Sequence, residues 1–186
     1  RWTFQAKDSI ESSAAIAAGT AYVGSMDSAL YAVNLATGKL VWKYATTGPI
    51  QESSPCIHNA VVYVGDLNGI LHAVDATTGK VRWTFKTEAE IKSSPSCAGD
   101  RVYVGSYDQN LYCLSAINGS LIWKYTTEGP LHSTPAIDKG RVFTSGCDET
   151  FRAIDAATGK PVFSVPLGAY AGASAAIDGD HAYVGT

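Results

Sequence analysis

The chain has 186 residues, 46% of them hydrophobic and 17% charged, with 18 glycines, 7 prolines, one methionine and a formal net charge of -3. This charge-poor, glycine-rich composition excludes a disordered chain and a long-helix protein, and its near balance of acidic and basic residues leaves no electrostatic footprint for nucleic acid. No apolar run reaches the roughly 18 residues of a membrane helix, and four cysteines in a domain of this size read as small buried hydrophobes rather than a disulfide framework.

The chain opens on a strand over Arg1–Ala6 that carries Trp2, and a repeat then takes over. Trp2, Trp42, Trp83 and Trp123 lie 40, 41 and 40 residues apart, and Phe163 extends the series by another 40. Tyr22-Val23-Gly24, Tyr63-Val64-Gly65, Tyr103-Val104-Gly105, Phe143-Thr144-Ser145 and Tyr183-Val184-Gly185 keep the same period independently. Each unit reads as four short strands separated by turn residues. In the second unit, Asn68-Gly69 between Val61–Gly65 and Ile70–Val74 is a strong hairpin signal. In the third, the strands fall at Ser94–Ala98, Arg101–Gly105, Asn110–Leu114 and Leu121–Thr126. The runs Val61-Val62-Tyr63-Val64 and Leu111-Tyr112-Cys113-Leu114 barely alternate, so both faces of these strands are expected to be covered.

Units of about 40 residues with four strands each are the signature of an all-β β-propeller built from four-stranded antiparallel blades. The repeats fall at approximately 8–46, 47–86, 87–127 and 128–167, with a partial fifth at 168–186 and residues 1–7 as the last strand of a preceding blade. That makes about 4.6 units and nineteen expected strands.

Ahead of each tryptophan the repeats share an 11-residue stretch, Ala32 to Trp42 and Ala73 to Trp83, with worn copies at Cys113 to Trp123 and Ala153 to Phe163. Gly38, Gly79, Gly119 and Gly159 recur where the turn needs positive φ. Asp75 and Asp155, with Asn34 and Ser115 in the same register, are placed to accept backbone hydrogen bonds there, and the indole is expected to lie flat between blades. This stretch resembles the tryptophan-docking motif of the PQQ-like repeat family, over essentially the whole chain. The resemblance implies a segment of a larger, seven- or eight-bladed propeller, or a chain whose open edges another chain completes; a five-bladed ring is a lesser alternative. It also implies a periplasmic or extracytoplasmic location. Some members are quinoprotein dehydrogenases holding PQQ and calcium at the propeller axis, others are cofactor-free scaffolds of outer-membrane barrel assembly, and others are sensor domains. The quinoprotein alcohol dehydrogenases carry a disulfide between adjacent cysteines, and Cys56, Cys97, Cys113 and Cys147 contain no adjacent pair. The reading is therefore a non-catalytic scaffold with no cofactor or metal, binding a protein partner or a small polar ligand. A PQQ-dependent oxidoreductase and a ligand-sensing domain are the alternatives.

Comparison between repeats locates the candidate site. The glycine-turn side is nearly uniform, whereas just before the small pairs Ser12-Ser13, Ser53-Ser54, Ser93-Ser94, Ser133-Thr134 and Ala173-Ser174 the residues are Glu11, Glu52, Lys92, His132 and Gly172. In a propeller the first strand lines the channel, so these positions are expected at its mouth. Asp27, Asn68, Asp108 and Asp148 recur in neighbouring loops, and Tyr107 and Tyr170 add aromatic surface. Against a ligand stands turn capping, which explains recurrent acids by itself. His72 reads as structural, His58 and His181 as solvated, and the Asn118-Gly119-Ser120 glycosylation pattern as one more glycine turn.

Overall fold

The computed structural model describes residues 1–186 and contains eighteen strands and no helix. Two compact units divide the chain, Arg1–Lys92 and Ser93–Thr186. The first holds β1 (Ala15–Ala17), β2 (Thr20–Ser25), β3 (Ala29–Asn34) and β4 (Leu40–Ala45) in one antiparallel sheet, and β5 (Cys56–His58), β6 (Val61–Gly65), β7 (Ile70–Asp75) and β8 (Val81–Lys86) in another. The second unit repeats this with β9 (Ser96–Ala98), β10 (Arg101–Gly105), β11 (Asn110–Ser115) and β12 (Leu121–Thr126), then β13 (Ala136–Asp138), β14 (Arg141–Ser145), β15 (Thr150–Asp155) and β16 (Pro161–Pro166). A two-stranded sheet follows, β17 (Ala176–Asp178) and β18 (His181–Tyr183). These are propeller blades, four complete and one partial, each a simple meander.

The burial pattern follows the sequence pattern. Val61–Val64 and Leu111–Leu114 are buried throughout, as their unbroken apolar runs predict, whereas the outer strand β8 alternates and buries only Trp83. Cross-strand register then builds the core. Tyr63 faces Ala73 and Ala73 faces Trp83; Tyr103, Cys113 and Trp123 repeat that file. The small middle residue leaves the two rings 5.6 and 5.8 Å apart, close enough for tilted aromatic packing. Cys113 occupies an alanine position for that reason, and burial pushes its thiol up to about 11.

Within each unit the tryptophan joins neighbouring sheets. Trp42 lies on Gly79 so closely that a Cβ there would sit 2.7 Å from the indole, and Trp123 lies on Gly159 at the same distance. Their Nε1 groups donate to the carbonyls of Ala76 (2.9 Å) and Ala156 (3.1 Å). Asn34, Asp75 and Asp155 each accept two backbone amides and a threonine hydroxyl within the turn, while Ser115 takes only the Ile117 amide.

Three expectations need correction. No strand is formed over Arg1–Ala6; Trp2 nonetheless lies on Gly38 and donates to Leu35 O at 2.8 Å. The hairpin expected around Asn68-Gly69 is present, β6 pairing antiparallel with β7 across the loop Asp66–Gly69, which Gly69 N to Asp66 O closes with positive φ at Gly69 but not at Asn68. The first strand of the third sheet starts at Ser96, and Ser93 ahead of it donates to Ser133 O in the next link. Of the four free cysteines only Cys113 is buried; Cys56 in β5, Cys97 in β9 and Cys147 in the loop between β14 and β15 are half-buried.

Candidate functional site

On one side of each sheet, the link arriving from the preceding sheet meets the loop between second and third strands. Main-chain bonds fasten them: Met26 N to Ser9 O and Leu67 N to Pro49 O in the first unit, and Cys147 N to Pro130 O in the second. A carboxylate completes each fastening. Asp27 accepts the Lys7 amide and the Tyr31 hydroxyl. Asp148 accepts the Glu128 amide at 3.2 Å and the Arg152 guanidinium at 2.5 Å. In the second repeat the carboxylate comes from Asp66, two positions ahead of the Asp27-Asn68-Asp108-Asp148 register. Its Oδ2 accepts from Thr47 Oγ1 (2.5 Å), Gly48 N (2.9 Å) and His72 Nε2 (2.9 Å), while Oδ1 accepts from Asn68 N and Ile70 N.

Asp66 and His72 are both fully buried, and the Tyr44 hydroxyl lies 3.1 Å from His72 Nδ1. Burial pushes the Asp66 carboxyl up, but the hydrogen bonds from His72, Thr47 and the Ile70 amide outweigh it and hold the group below the usual carboxylate range. His72 is therefore structural, as its strand position suggests. The sequence comparison missed Asp66; its signal was an acid where other repeats have Ser25 and Ser106, coupled to Asn68 where they have aspartate.

The serine pairs have a second task. Ser53, Ser93 and Ser133 Oγ accept the amides of Gly65, Gly105 and Ser145, the last residues of the second strands. Ser54 and Ser174 Oγ accept Ser13 N and Thr134 N from the segments just ahead of the neighbouring first strands. Residues flanking the variable positions are thus committed to framework bonds.

In the first unit Glu11 is exposed and bonded locally to the Ser9 hydroxyl at 3.3 Å, and Glu52 and Lys92 are half-buried. In the second unit Tyr107 and His132 come together, hydroxyl to Nδ1 at 3.4 Å with rings edge-to-face. Gly172 opens beside them: the nearest atom to a Cβ there would be His132 Nδ1, at 3.9 Å. Asp108 accepts the Tyr112 hydroxyl and the Asn110 amide, and Tyr170 is 68% exposed. Tyr107, expected as exposed surface, is half-buried against His132. His58 is likewise half-buried, beside the Asn59 amide, and His181 is exposed.

No three His, Cys, Asp or Glu side chains converge as a metal site. The cysteines are all free, and Asp27, Asp66 and Asp148 each accept hydrogen bonds at a sheet junction. No helix is long and apolar enough to cross a membrane.

A family model described as outer membrane protein assembly factor BamB matches residues 1–93 and 67–186. Among solved structures, BamB from Moraxella catarrhalis is similar with a TM-score of 0.85 and 18% identity, over 96% of this chain and 56% of its own. The chain therefore spans little more than half of that protein. A quinohemoprotein alcohol dehydrogenase from Pseudomonas putida HK5 gives 0.75 and 18% over 90% of this chain and 36% of its own. The computationally designed Ika4 protein gives 0.73 and 14% over 80% and 92%. At these identities the likeness is one of fold. No curated protein matches the sequence. The blade register, the docked indoles and the family match over the full length agree: the chain belongs to the PQQ-like repeat β-propeller family described by outer membrane protein assembly factor BamB.

Proposed function

We propose that the chain is a non-catalytic binding and scaffolding segment of an extracytoplasmic propeller, presenting its loop side to a protein partner or a small polar ligand. The observation that supports this is the division of labour in those loops. Serines and loop acids hold the frame, whereas Glu11, Glu52, Lys92, His132 and Gly172 change chemistry from repeat to repeat beside them. A rigid frame with variable side chains at one register is how a scaffold presents recognition groups at low entropic cost.

The test is a charge reversal. Glu52→Lys combined with Lys92→Glu is expected to leave the thermal midpoint within a few degrees of the parent and to weaken capture of partners from envelope extract by about tenfold or more. Unchanged capture would sink the loop-side reading. On the same reading PQQ with calcium produces neither a thermal shift nor dye reduction; either signal would favour an oxidoreductase.

A further inference from the structure

In three of the four complete repeats, one side chain ties the loop between second and third strands back on itself. Asp27 N donates to Ser25 Oγ at 3.2 Å, Asn68 N to Asp66 Oδ1 at 3.1 Å, and Asp108 N to Ser106 Oγ at 3.2 Å. Ser25 Oγ in turn donates to Ser9 O at 3.1 Å, so the same hydroxyl also holds the segment that arrives ahead of β1. In the fourth repeat this position is Gly146, which is buried, and the Asp148 amide has no acceptor.

The groups beside Gly146 are polar, buried and incompletely paired. A Cβ there would lie 3.0 Å from Pro130 O and 3.3 Å from Asp148 Oδ1. The Asp148 and Arg152 side chains are only 5% and 7% exposed, and they meet through Oδ2 and Nη2 alone. The fork of two parallel bonds that often joins arginine to a carboxylate is not made, and Oδ1 and Nη1 are left without partners. Asp27 Oδ1 is also unpartnered, but the Asp27 amide keeps Ser25; only beside Gly146 do an amide, a carboxylate oxygen and a guanidinium N–H go unmatched together. The loop acids Asp27 and Asp66 draw their partners from their own loop and sheet and from the arriving link. All three surround Asp148 as well, so its missing bonds trace to the serine-to-glycine change.

We propose that Gly146 creates a binding site for one buried water, which takes over the work of the serine hydroxyl. The water accepts from Asp148 N and Arg152 Nη1 and donates to Asp148 Oδ1 and Pro130 O, a full set of four bonds. The charges select a neutral occupant: a cation would face the Arg152 guanidinium, and an anion would face Asp148 Oδ1. Only a molecule that both donates and accepts matches two N–H groups and two oxygens. This site belongs to the frame and does not depend on the loop-side reading, whose variable residues it does not include.

A crystal structure of the full chain is expected to show a water within about 3.2 Å of Asp148 N, Asp148 Oδ1 and Pro130 O. Two substitutions then separate the hydroxyl from its carbon. Gly146→Ser and Gly146→Ala add the same Cβ, with the same contact to Leu131 Cδ2 at 2.9 Å, and Gly146 has no positive φ to strain either one. Gly146→Ser is expected to expel the water and bind Asp148 N through its own Oγ. Gly146→Ala crowds the water without replacing its bonds, so Gly146→Ser is expected to melt at least about 3 °C higher than Gly146→Ala. The proposal is overturned if the parent structure holds no water or an ion at that place, if Arg152 Nη1 bonds Asp148 Oδ1 directly, or if the two substituted chains melt together.

Discussion

Trp123 concentrates several roles in one side chain: it fills a cross-strand file with Tyr103, lies on Gly159 and donates to Ala156 O. Trp123→Ala is expected to cost about 3–5 kcal/mol, the range for truncating a buried aromatic, measured as a shift in chemical denaturation. A loss well below about 1 kcal/mol would show that the indole does not wedge the sheets. Asp66 acts through charge. Its folded carboxyl titrates below the unfolded one, so on acidification the unfolded chain binds the proton first and stability falls. The stabilisation is complete above the unfolded value of about 4 and is lost as pH drops through the lower folded value. Asp66→Asn is expected to lower stability at pH 7 and to flatten its decline below pH 4; urea midpoints at pH 7 and 3 check both.

At the scale of the element, close backbone approach sets the residue choice. A Cβ on Gly65 would lie 2.1 Å from Ile91 Cγ2, and one on Gly105 2.8 Å from Leu131 Cβ. The fourth sheet shows the compensated form, with Ser145 in the glycine position and Ala171 in place of the large residue. Gly65→Ala is expected to destabilise by about 1–3 kcal/mol through overpacking. Adding Ile91→Ala is expected to cost less than the sum of the two single changes by at least ~1 kcal/mol in a double-mutant cycle, since each relieves the other. Strand positions in the third unit were legible because apolar runs and turn residues are local signals. Over Arg1–Ala6 the local pattern shows only Trp2's place in the period: being a strand depends on a hydrogen-bonded neighbour, whereas Trp2 docks through its indole alone.

For the whole molecule, repeats whose contacts run mainly to their neighbours make stability close to a sum of local terms. Trp42 and Trp123 belong to different compact units. Trp42→Ala and Trp123→Ala are therefore expected to add within ~0.5 kcal/mol, and a larger coupling in the double variant would contradict that independence. The sequence by itself determined the period, the four strands per repeat, the turn glycines and the docked tryptophans, because each is written in local pattern and recurs in phase. Only the tertiary structure decided which polar residues are framework. Asp66 with His72, Asp148 with Arg152, and Ser53 with the Gly65 amide are joined by a loop fold or a register that no spacing rule exposes. Those acids and serines are bound into the frame, and the positions that change from repeat to repeat, Glu11, Glu52, Lys92, His132 and Gly172, lie beside them.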